Sequence, residues 1–184
     1  MITPGNIEFR NAELPGKLEP NEVLLKIRRI GICGSDIHVF HGEHPATPYP
    51  VVQGHEYSAT IEAIGEAVKT AKVGQRATAR PQLICGKCGP CLRGQYNACK
   101  ELKVQGFQAP GVAQEYFVVP EDRLIVFPDS MSFEHGAMIE PAAVGARSTR
   151  CSRGLEGKNV VVSGAGTIGN LMAQFAKVGA PKWC

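Results

Sequence analysis

The stretch Cys85-Gly86-Lys87-Cys88-Gly89-Pro90-Cys91, completed by Cys99, is the most informative part of this chain. Its four cysteines read C-x2-C-x2-C-x7-C. Two-residue gaps let neighbouring thiolates turn back onto one ion, and the glycines with Pro90 supply the tight turns. Four thiolates at such spacing suit a closed tetrahedral zinc site, structural rather than catalytic. Disulfides in a secreted loop, or cysteines that only pack, are the weaker alternatives.

Composition agrees with that choice. A chain of 184 residues with 43% hydrophobic content can bury a core, and one to two domains is the expectation from length. Lys plus Arg number 20 against 17 for Asp plus Glu, a net charge of +3. This balance is too mild and too scattered to suggest nucleic acid or an acidic membrane as partner. The start, Met1-Ile2-Thr3-Pro4-Gly5, lacks the basic and apolar regions of a signal peptide. No stretch has the ~18 uninterrupted apolar residues of a membrane span. Zinc thiolates need reduced cysteines, so the cytoplasm is the expected compartment.

Outward from the cysteines, the first two-thirds read as β-structure broken by loops. Val23 to Ile30 and Tyr57 to Ile64 are strand-like, with Ile61 and Ala63 on one face of the latter and Thr60 and Glu62 on the other. Arg76 to Arg80, Ala113 to Val119 and Leu124 to Phe127 are shorter candidates. Ser132 is placed to cap a helix through Ile139, and Pro141 to open another. His41 and His44 are expected in a loop, and Tyr49 and Phe107 as packing aromatics, with the lining of a substrate cleft as the alternative.

A second constellation is dispersed. Gly31-Ile32-Cys33-Gly34-Ser35-Asp36-Ile37-His38 holds a thiol, a hydroxyl, a carboxylate and an imidazole. Gly54-His55-Glu56 adds an imidazole and a carboxylate, and Ile139-Glu140-Pro141 another acid. Each alone is weak, since a single Cys or His is usually packing and a Glu at a helix start can simply suit the dipole. Together they offer the three protein ligands and open position of a catalytic zinc.

These motifs, followed by the four-cysteine loop, resemble the zinc-dependent medium-chain alcohol dehydrogenase family. Gly54, His55, Glu56, Gly65 and Val68 match its zinc signature, while Ala59 stands where glycine is usual. Ile139-Glu140-Pro141 resembles the sorbitol (polyol) dehydrogenase branch. The resemblance implies Cys33 and His55 as zinc ligands, with Glu56 or Glu140 as the carboxylate; the sequence does not choose between them. It further implies Asp36 as hydrogen-bond partner of His55, and Ser35 and His38 as a proton relay.

Gly164-Ala165-Gly166-Thr167-Ile168-Gly169 fits G-x-G-x-x-G. It follows a Val160-Val161-Val162 strand and opens a helix with Ile168, Leu171, Met172 and Phe175 at helical spacing, the context of a dinucleotide fingerprint. Gly164 serves the turn, Gly166 the approach of the pyrophosphate, and Gly169 close helix packing.

The architecture that the resemblance implies, and with which the strand alternation agrees, is mixed β and α/β. A GroES-like, β-rich catalytic domain over residues 1–150 carries two zinc ions, and residues 151–184 begin a Rossmann domain. Only the first β-α unit, with a second strand starting at Lys182-Trp183, falls within the chain. The ribose-binding acid belongs about twenty residues beyond the glycine turn. The chain is therefore expected to be a truncated and inactive piece of its parent. That parent would oxidise a secondary alcohol, a polyol such as sorbitol, with NAD(P), NAD favoured, as a homo-oligomer. Alternatives are a threonine 3-dehydrogenase-like or simple-alcohol dehydrogenase and, in another class, a non-enzymatic zinc-binding module. The second cluster and the lack of a basic patch disfavour the last.

Overall fold

The structure is a computed structural model and describes residues 1–152, 155 and 157–178. They fall into two compact units, Met1–Ala137 and Met138–Cys184.

The first unit contains, in order, β1 (Glu22–Gly31), α1 (Gly34–His41), β2 (Glu56–Ile64), β3 (Arg76–Ala79), β4 (Gln82–Leu83), α2 (Gly89–Leu92), β5 (Lys103–Val104), β6 (Tyr116–Pro120), β7 (Leu124–Phe127) and α3 (Phe133–Ala137). An antiparallel sheet runs in the order β6-β1-β2-β3-β7, and β4 pairs with β5 alone. Two register shifts between β1 and β2 leave Glu62 and Arg28 without a partner in the ladder. Such bulges bend a strand pair and re-aim its ends. Here the re-aimed end carries the pairs Ile30↔Tyr57 and Gly31↔Glu56.

Alternation along β2 is clear only in its second half, where Ile61 is buried and Glu62 exposed. Glu56 to Ala59 are buried on both faces, because α3 packs over this end and Ser58 Oγ donates to the Phe133 carbonyl at 2.6 Å. Opposite, Val23, Leu25, Tyr57, Ala59, Ile61, Val112 and Val119 form the main core. Full burial of such side chains stabilises by roughly 1.5–3 kcal/mol each. A second cluster joins Met1, Val39, Val51 and Phe107, with Tyr49 at its edge. Tyr49 donates its hydroxyl to the Val39 carbonyl, so both aromatics pack as expected.

Some expected elements differ. The strand drawn from Ala113 starts only at Tyr116, since the Val112 and Ala113 N–H groups bond Gly54 O and Gln53 O in a loop contact. Ser132 Oγ accepts the His135 N–H at 3.2 Å, but α3 stops at Ala137. His41 is the last residue of α1 rather than a loop residue.

In the second unit, α4 (Ile139–Cys151) packs on α5 (Thr167–Val178), with Gly145 set against Leu171. Pro141 is the third residue of α4, not the first; its missing N–H is harmless there because first-turn N–H groups have no helical acceptor. Val160-Val161-Val162 forms no ladder among the described residues, and Val161 is 93% exposed. An apolar run becomes a strand only where another strand takes its hydrogen bonds. Arg153, Lys182, Trp183 and Cys184 lie outside the described residues. No helix among the described residues is long and apolar enough to cross a membrane.

Candidate metal centres

Between β4 and β5 the chain makes an excursion that carries all four clustered cysteines. Cys88, in extended conformation, precedes α2, and Pro90 sits in the first turn of that helix. One ligand atom from each of Cys85, Cys88, Cys91 and Cys99 lies within 4.8 Å of the others. Cys88 Sγ and Cys91 Sγ are 3.4 Å apart, and the Cys85 N–H points to Cys99 Sγ at 3.3 Å. Zinc–sulfur bonds of about 2.3 Å set tetrahedral sulfur–sulfur edges of about 3.8 Å, so the donor set fits zinc. The surroundings separate the thiols electrostatically. The Lys100 backbone N–H, chief among several bonds, draws Cys88 down to about 6, whereas burial and then the Cys88 and Cys99 thiols push Cys91 up to about 12. Backbone N–H groups, led by that of Cys85, also lower Cys99. The described cysteines are all free thiols, so the disulfide alternative is not what the structure holds.

The second cluster draws its donors from two strand ends. Cys33 is the residue before α1, and Asp36 Oδ2 accepts its N–H at 2.9 Å, which fixes the start of the helix. Gly54, at φ +96°, turns the chain into His55 and Glu56 at the head of β2. Gln53 Nε2 ties this turn to α1 by donating to the Asp36 carbonyl at 2.9 Å. The register then brings Cys33, His55 and Glu56 together, their ligand atoms within 4.8 Å of one another. His55 and Glu56 are buried. The Cys33 thiol is lowered, first by the His55 imidazole and then by the Ser35 hydroxyl, against the opposing effect of burial. Burial raises the Glu56 carboxyl. A thiol poised to ionise, an imidazole and a desolvated carboxyl are the donors a divalent cation satisfies, and three of them leave one tetrahedral position open.

The other expected site residues are placed as follows. Asp36 Oδ1 stands 3.7 Å from His55 Nδ1, an ion-pair distance beyond hydrogen-bond range. Ser35 Oγ donates to Cys33 Sγ at 3.2 Å, which puts a hydroxyl against the cluster. His38 is exposed and bonds Glu43 Oε2 through Nδ1 at 2.9 Å. Glu140 belongs to the second unit, half-buried in the first turn of α4. Phe107, buried, stacks on His44 with ring centroids 4.6 Å apart and tilts against His55 at 5.0 Å. The sequence offers Phe107 as a packing or cleft-lining aromatic, and nothing in the sequence joins it to His55.

In the second unit, Gly164 has φ +106°, a region that favours glycine. Gly166 faces open space, and a Cβ on Gly169 would overlap the Gly164 carbonyl oxygen. Thr167 and Ile168 begin α5. The turn thus provides an approachable backbone at a helix N-terminus, a favourable setting for a phosphate.

The family model for the alcohol dehydrogenase GroES-like domain matches residues 19–129. The chain belongs to this family. Among curated members, it is 35% identical over 181 residues to the probable D-xylulose reductase A of Aspergillus clavatus, covering 96% of this chain and 51% of that protein. Two solved structures share the fold of this GroES-like chain closely. Galactitol-1-phosphate dehydrogenase from Escherichia coli superposes with a TM-score of 0.89 at 36% identity, over 96% of this chain and 51% of that one. A protein described as a short chain alcohol dehydrogenase (rspB) from Escherichia coli CFT073, complexed with NADH, gives 0.87 at 38% identity with the same coverage. The chain spans about half the length of these relatives.

Proposed function

We propose that this chain supplies the metal-binding part of a zinc-dependent dehydrogenase acting on a secondary alcohol, a polyol, with NAD as the favoured acceptor. The observation that carries this reading is the convergence of Cys33, His55 and Glu56, three different donors, beside a hydroxyl and apart from a closed four-thiol lobe. Cys33, His55 and Glu56 would hold a catalytic zinc, with Glu140 the alternative carboxylate, and Cys85, Cys88, Cys91 and Cys99 a structural one. The catalytic ion supplies Lewis acidity toward an alcohol oxygen. Polyol and nicotinamide chemistry are suggested by the names of the galactitol-1-phosphate dehydrogenase and xylulose reductase relatives and by the NADH-bound neighbour.

The chain's own groups then have distinct tasks. Ser35 Oγ, now donating to Cys33 Sγ, can turn that hydroxyl to accept the proton of a substrate alcohol while releasing its own toward solvent. His38, one helical turn further along α1 and exposed, is placed to hand a proton to solvent. Asp36 holds the N-terminus of α1, and with it the Cys33 sulfur, in place. The Gly164–Gly169 turn and the first residues of α5, Thr167 and Ile168, offer backbone N–H groups to the dinucleotide phosphates. Thiolate ligands suit a reducing compartment, the cytoplasm.

The test has two parts. Zinc content of the purified chain should be close to two per molecule. A polypeptide of the relatives' length that carries these residues should oxidise polyols with NAD in preference to NADP. One zinc per chain together with no alcohol oxidation would instead favour a zinc-binding module without catalysis. Preference for threonine over sorbitol or xylitol would move the enzyme to the threonine 3-dehydrogenase-like reading.

A further inference from the structure

Strand β1 ends at Gly31, which the register sets directly opposite Glu56. A Cβ on Gly31 would overlap Glu56 Oε2 outright and stand 3.0 Å from Glu56 Cβ. Gly31 is not among the glycines at positive φ, so the position asks for space and not for an unusual backbone. Gly34, in the same motif, contrasts with it: a Cβ there meets nothing within 4 Å. The Glu56 carboxylate therefore lies in the gap left by the missing side chain, and lying there it joins Cys33 and His55.

We infer that Gly31 is a positioning residue for the Cys33–His55–Glu56 cluster, its bare Cα making the pocket that holds the Glu56 carboxylate in ligand position. The inference rests on the reading of that cluster as a metal centre. The physical reason lies in which atoms can yield. The Glu56 Cβ is fixed by a buried strand and can shift only by tenths of an ångström. The carboxylate is the far end of a flexible side chain and can swing away at little cost to the fold. A methyl group at position 31 thus spares the sheet and displaces the ligand. Nothing in the spacing of the motif reveals this, because the contact is made across the β1–β2 ladder.

Zinc titration against a competing chelator tests it on wild type, Gly31→Ala, Glu56→Ala and the double variant. Wild type should bind two equivalents, and Gly31→Ala should keep the first and weaken the second by about 10–100-fold, the range seen when a group that orients a ligand is lost. Glu56→Ala should weaken the second at least as much, and adding Gly31→Ala to it should change nothing further. Gly31→Ala with wild-type affinity for both equivalents, or equal added losses in both backgrounds, would overturn the inference. If Gly31→Ala does not fold, the double variant decides: recovery of folding identifies Glu56 as the obstructed group, and failure to recover shows a backbone constraint and overturns it. A wild type that binds one equivalent, or a second equivalent indifferent to Glu56→Ala, refutes the metal-centre reading itself and with it the role of Gly31.

Discussion

In the cysteine lobe, all four donors lie on one excursion of chain between β4 and β5, while Cys33, His55 and Glu56 are gathered from the end of β1 and the head of β2. The lobe needs only local turns around Pro90 and a short helix, so its geometry can be assembled with little help from the sheet. The dispersed cluster exists only if the β1–β2 register, the bulge at Arg28 and the packing of α3 are all in place. The difference separates a site that can support the fold from one that depends on it.

The largest effect should come from the lobe. Structural zinc in small motifs is worth roughly 10–16 kcal/mol at neutral pH. Cys88→Ser should forfeit much of that binding, loosen residues 85–99 and lower thermal stability, while the second metal equivalent stays. Loss of all bound zinc from a folded Cys88→Ser chain, measured by elemental analysis, would break the separation of the two sites. Next, Cys33→Ser should weaken the second equivalent by more than about 100-fold, since a direct ligand matters more than an orienting group. Hydrogen exchange of residues 85–99 should be unchanged by it. Slower or faster exchange there would show that the sites are coupled.

Phe107 follows β5 as the chain leaves the lobe, and it packs on His55, so it joins the lobe's exit to the dispersed cluster. Phe107→Leu keeps apolar volume but removes the ring contacts, worth about 1 kcal/mol. Urea unfolding should show a loss of that size, with lobe metal retained. A large drop in affinity at both sites would make this contact a conduit rather than local packing.

The smallest effect concerns a carboxylate remote from either site. Glu121 accepts the N–H groups of Lys69, Thr70 and Ala71 and the Thr70 hydroxyl, the last bond chief among those that hold it down to about 2. An unfolded glutamate titrates at about 4.3. Its contribution is therefore present above that pH and lost as pH falls through the folded value. Glu121→Gln should be slightly less stable than wild type at neutral pH, the difference vanishing toward pH 2. A difference that persists unchanged in acid would show that charge is not the cause; comparing the two proteins cancels the metal release common to both.

Legibility followed the same division. The cysteine spacing, the strands from Val23, Tyr57 and Leu124, and the Ser132 cap could be read directly, because turns, alternation and caps are local. The family motifs named Cys33, His55 and Glu56, but their convergence depends on a ladder with two bulges, and no periodicity announces a bulge. Pro141 stands two residues inside α4 and not at its first residue, since proline is tolerated throughout the first turn. Val160-Val161-Val162 read as a strand from its composition, yet no ladder partner stands beside it among the described residues.

By itself the sequence determined the chemistry on offer: which donors are present, that four of them lie close along the chain, and that a glycine turn precedes an amphipathic helix. Tertiary structure decided what lies against what: Glu56 in the gap at Gly31, Phe107 against His55, and Asp36 Oδ1 3.7 Å from the His55 imidazole. The physical reason is range. Turn and cap preferences act over a few residues, whereas register and packing are set by the burial of the whole sheet, to which no single segment holds the key.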